Sequence, residues 1–109
     1  MILYLNKGEI NMLFHVIAKH DYETCPGVLY GPESDEVNEL TKWVEGDENV
    51  NVLGVWAYNV SHTTYAVLEA SDMKDVTALM RPQMGKGDIQ VLPVMDGIAM
   101  RKERGHWGK

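Results

Sequence analysis

A chain of 109 residues, 45% hydrophobic and 24% charged, is long enough for one hydrophobic core and too short for two, and its composition is neither disordered nor fibrous. A formal net charge of −6 and a pI near 5.1 argue against a binder of nucleic-acid backbone, which needs clustered Lys and Arg. A single cysteine, Cys25, excludes an intrachain disulfide framework, fits a reducing compartment and makes the cytoplasm the expected address.

No apolar stretch reaches the length of a bilayer span, and Met1 to Lys7 is too short and too quickly polar for a secretory segment, so no membrane partner is expected. Without an export signal, the sequon Asn59-Val60-Ser61 is a chance match. Residues 1–11 read as an N-terminal extension in which Ile2 to Leu5 either frays or adds a short edge strand, before the polar Asn6-Lys7-Gly8-Glu9. Met12, a candidate natural start, opens a stronger pattern, and residues 12–96 form the expected domain.

Met12 to His20 is bulky and β-branched, which predicts a strand. Pro26-Gly27 and Gly31-Pro32 make Asp21 to Pro32 a long connecting loop and a candidate lid. Ser34 then caps a helix with Asp35 and Glu36 in its first turn and Val37, Leu40, Trp43 and Val44 on one stripe, stopped by Gly46. Asn51 to Tyr58 and His62 to Ala70 read as strands joined by Asn59-Val60-Ser61 in a hairpin.

Ser71 or Asp72 caps a second helix with Met73, Val76, Leu79 and Met80 inward, ending at Pro82. Gly85-Lys86-Gly87 lacks the flanks of a P-loop and follows a helix, so it predicts no phosphate site. Asp88 to Val94 is the last strand, bent or ended near Pro93. Residues 97–109 carry Arg101, Lys102, Arg104 and Lys109 and read as a basic, solvated C-terminal tail.

The order β-α-β-β-α-β predicts an α+β, ferredoxin-like fold, a four-stranded antiparallel sheet with two helices on one face. Its strands are apolar on both faces. Phe14, Val16 and Ala18 oppose Leu13 and Ile17; Val52 and Trp56 oppose Leu53, Val55 and Ala57; Ile89 and Val91 oppose Leu92 and Val94. Helices cover one face, so the other calls for a second copy of the chain, related by twofold symmetry in a homodimeric α/β barrel. The extension and the tail, short and partly charged, are the weaker alternative cover.

The pieces Met12-Leu13-Phe14-His15-Val16-Ile17, the Trp56 strand, Tyr65-Ala66-Val67-Leu68-Glu69 and Ile89-Gln90-Val91-Leu92-Pro93-Val94 resemble the dimeric α/β-barrel superfamily, within it a group of small uncharacterised domains. Better-understood members of that superfamily include cofactor-free monooxygenases, muconolactone-isomerase-like enzymes, haem-handling proteins and stress-response binding domains. The resemblance therefore implies the fold and the dimer without fixing a reaction or a cofactor.

Two constellations bear chemistry. His15, His20 and Cys25 fall at intervals of five, and His62 is a further metal-competent side chain that folding could bring near them, but the odd offset puts His15 and His20 on opposite faces of one strand. No metal ligand set is therefore assigned. The second combines His15 and Glu69 as candidate general acid or base with Trp56, Tyr58 and Tyr65 as candidate ligand-binding groups, in a pocket between sheet and helices. The plain alternative is that the aromatic groups are core residues and that Glu69 caps a turn. The leading expectation is a homodimer that binds a small apolar molecule, with an enzyme of the monooxygenase or isomerase kind implied by the resemblance. Its rivals are a noncatalytic assembly or regulatory module and a His/Cys metal binder.

Overall fold

The short strand β1 (Ile2–Tyr4) pairs antiparallel with the start of β2 (Ile10–His20), setting Ile2 opposite Met12, in a computed structural model that describes residues 2–4 and 10–109. Of the two readings of the N-terminal patch, frayed extension or edge strand, the second holds over three residues, while Leu5 and Asn6-Lys7-Gly8-Glu9 lie outside the described residues. Strand β2 begins two residues before Met12 and is the central strand.

Pro26-Gly27 does not mark a plain loop. Pro26 opens a single helical turn, α1 (Pro26–Tyr30), because a proline at the first helical position gives up a donor that would be unpaired there. The next predicted helix divides into α2 (Asp35–Leu40) and a 3-10 turn over Lys42–Glu45. Ser34 caps α2 by accepting from the Val37 backbone N–H, and Gly46, at φ 74°, ends the segment as expected.

Strands β3 (Val50–Tyr58) and β4 (Thr63–Ala70) form the predicted hairpin, closed by a 3-10 turn over Asn59–Ser61. Asp72 caps α3 (Met73–Met84), which runs past Pro82 to Met84. Its buried side chains are Val76 and Met80, whereas Met73 in the first turn is exposed. Strand β5 (Gly87–Val94) completes the sheet, and Pro93 is tolerated where β5 pairs with β2 alone. The C-terminal stretch read as solvated chain holds a helix, α4 (Gly97–Glu103), capped by Asp96 through the Ala99 N–H at 3.0 Å.

The sheet is antiparallel throughout its described pairings. Strand β2 lies between β4 and β5, and β4 in turn pairs with β3. Phe14, Val16, Ala66, Leu68, Ala70, Val76 and Met80 are the centre of the core, with Trp43 and Val50 closing it. These side chains come from the helix-facing side of β2, β3 and β4, from α3 and from the 3-10 turn after α2.

One expectation about facing is overturned. The register of β3 against β4 shifts between Val52 and Gly54, so Leu53 is an extra residue. A bulge switches the parity of a strand, and Val52 and Val55 therefore both pack against the core while Leu53 and Trp56 point away from it. Val52 and Trp56 do not share a face.

Candidate functional site

The principal cavity, about 540 Å³, lies between the helix-facing side of the sheet and the α1–α2 segment. Ala18 and His20 of β2, Val55 and Ala57 of β3, and Thr64 of β4 form its floor. Pro26 and Val28 of α1, Val37 and Leu40 of α2, and Trp43 form its opposite wall. The Gln83 side chain donates to the Leu40 carbonyl, tying the end of α3 to that wall. Small side chains on the strands, Ala18 and Ala57, leave the space that larger ones would fill.

Three polar side chains meet at this cavity. His20 ends β2, Cys25 precedes α1, and His62 follows the 3-10 turn between β3 and β4. Their donor atoms lie within 4.8 Å of one another, and all three residues are half-buried. The two imidazoles meet edge to face with centroids 5.1 Å apart. The backbone holds this arrangement: the His20 N–H donates to the His62 carbonyl at 3.2 Å, and His62 adopts a left-handed conformation, φ 52° and ψ 41°. A histidine there is uncommon for a non-glycine residue.

The Asp21 carboxylate shapes the path to Cys25 by accepting from the Thr24 N–H at 3.0 Å and the Thr24 hydroxyl at 3.1 Å. Those bonds, the backbone one first, hold its carboxyl below the ordinary value. Burial pushes the His20 imidazole below its usual value, His62 adds to the effect and Asp21 opposes it. A lowered value favours the neutral imidazole, the form with a free nitrogen lone pair.

The residues predicted to line a pocket between sheet and helices lie elsewhere. His15, Trp56, Tyr58, Tyr65 and Glu69 are absent from this cavity's walls. Strand parity and register put His15, Tyr65, Trp56 and Glu69 on the sheet face turned away from the helices. There His15 stacks on Tyr65 with centroids 6.4 Å apart, and Trp56 pairs across from Tyr65. Trp56 is 61% exposed and Tyr58 56%, so they are not core aromatics. Glu69 is buried and accepts from the Asn51 side-chain amide at 2.7 Å, a cross-strand bond rather than a cap.

The separation of His15 from His20 follows their odd offset, as expected. The sequence grouped His20 and Cys25 with His15 and placed His62 near them only as a possibility of folding; the fold drops His15 from the group and brings His62 in, because it sets the β2 end beside the hairpin turn. The shared signal of His20, Cys25 and His62 was position: each stands at an element boundary on one end of the sheet.

The family described as "Domain of unknown function (DUF3303)" matches residues 12–103, and the chain belongs to it. Comparison with curated proteins and with solved structures brings no match. The matched segment runs from Met12 within β2 to the end of α4 and includes all three polar groups at the cavity.

Proposed function

We propose that this member of the DUF3303 family is a small-molecule-binding homodimer whose ligand occupies the cavity bounded by His20, Cys25 and His62. The observation that carries the reading is the cavity itself. Its volume, about 540 Å³, falls within the roughly 300–1,000 Å³ of small-molecule sites, and apolar walls with a few converging polar groups suit an uncharged or weakly polar ligand. A cytoplasmic setting suits the free thiol of Cys25.

The dimer is the second half of the proposal. The strand pairing, with β2 between β4 and β5 and β3 beyond β4, supports a ferredoxin-like domain with helices over one face. On the other face Leu53, Trp56, Tyr58, Tyr65 and Leu92 are exposed together, a patch expected to be covered. Its occupant is a second copy, because the centre of the face is apolar, Lys19 and Asp88 are opposite charges on cross-strand neighbours, and the Glu69 carboxylate on the same face is buried and bonded to Asn51. A near-neutral face can meet its own image without like-charge repulsion.

Ligand-observed NMR with a library of small uncharged aromatic and aliphatic fragments tests the binding reading. Fragments should bind the wild type and be lost from Ala57→Trp, which fills the cavity while the fold persists by circular dichroism. Binding that survives Ala57→Trp, or no binding by the wild type, contradicts the proposal.

A further inference from the structure

We propose that His20, Cys25 and His62 bind one zinc ion at the cavity wall, each giving a single donor atom. Two imidazole nitrogens and a thiolate are a donor set that zinc accepts in tetrahedral sites, with bonds of roughly 2.0–2.3 Å. Tetrahedral donors at those bond lengths stand about 3.3–3.6 Å apart. The donor atoms here already lie within 4.8 Å of one another, so closing on an ion takes side-chain rotation of roughly an ångström and no rebuilding of the backbone.

Among the described residues, no hydrogen bond engages the three side chains. The Cys25 side chain makes no capping bond at the start of α1, and the carboxylate that follows His20 in the chain, Asp21, is engaged by Thr24. Thus the ion would have two neutral nitrogens and one sulfur. When the S–Zn bond forms, the thiol proton passes to solvent, leaving the site with a net charge of +1 from zinc and thiolate. Because all three residues border the cavity, the fourth coordination position faces it and takes water or a coordinating group of an occupant. That last step rests on the small-molecule reading, whereas the ion's binding does not.

Calorimetric titration of zinc chloride into tag-free, chelator-dialysed protein reads the site with no organic ligand present. One ion per chain is expected. Cys25→Ser and His62→Asn should each weaken it by at least the about tenfold to hundredfold that even outer partners of a metal contribute. Asparagine is chosen because it tolerates the left-handed backbone of His62. His106→Ala, in the C-terminal tail, should bind as the wild type does. Cobalt(II) offers a check on unmutated protein, through a thiolate charge-transfer band and the strong visible absorption of a tetrahedral site. No zinc binding, or binding unchanged in Cys25→Ser and His62→Asn with no thiolate band from cobalt, overturns the proposal. Zinc binding with failure of every fragment would leave the metal site standing and remove the small-molecule reading.

Discussion

Two glycines show how single atoms constrain β3 and β5. A Cβ on Gly87 would stand 2.0 Å from the Lys19 carbonyl oxygen and 2.8 Å from the His20 Cα, both backbone atoms that cannot swing aside. A Cβ on Gly54 would instead meet the far edge of the exposed Trp56 indole, at 2.4 Å. Gly87→Ala should therefore destabilise the protein by about 1–3 kcal/mol, the range of strong single-site effects, and disturb the β5–β2 pairing beside His20. Gly54→Ala should cost less than Gly87→Ala and shift the Trp56 indole N–H resonance, since its Cβ meets the end of a side chain that can move and not backbone. Urea unfolding separates the two, and equal losses would contradict the geometry. Neither demand was legible in the sequence, where Gly85-Lys86-Gly87 reads only as a flexible joint and Gly54 as one residue of a strand.

At the level of elements, patterns of side chains carried more information than punctuation did. Ser34 was legible as a cap because its oxygen stands before an acidic first turn and an apolar stripe, and Asp72 was one of two candidates beside Ser71; both Ser34 and Asp72 accept a backbone N–H of their helix. Ser34→Ala should cost about 0.5–2 kcal/mol and loosen α2, one wall of the cavity, a loss readable as faster amide exchange over Val37–Leu40. Unchanged exchange there would show that the wall is held by Trp43 and Gln83 instead. The bulge at Leu53 was illegible, because an alternating apolar run looks the same with or without an extra residue until its partner strand is known. That one residue decides which of Val52, Val55 and Trp56 faces the helices, and so it bears on Trp56 and Tyr58, whereas Tyr65 on β4 faces away by plain strand parity. The helix α1 was hidden for another reason: Pro26-Gly27 signals a turn and a helix start equally.

For the whole molecule, the two faces of the sheet differ, the helix side bordering a cavity and the open side exposing an apolar surface that the proposed dimer would cover. The open face was legible as doubly apolar strands, while the cavity was not, since it depends on how far α1 and α2 stand off from Ala18 and Ala57. Light scattering at micromolar concentration should give twice the chain mass of 12.3 kDa, and Tyr65→Glu, which sets a charge in the middle of the open face, should give a monomer. A wild-type monomer would remove the second copy from the account. The most direct test of this difference between the faces is amide NMR of the isotope-labelled protein titrated with the tightest-binding uncharged fragment from the screen. Shifts at Ala18, Val37, Val55, Ala57 and Thr64, with Ile17, Tyr65 and Leu92 undisturbed, are the predicted result; shifts centred on Ile17, Tyr65 and Leu92 would place the ligand on the open face and contradict it.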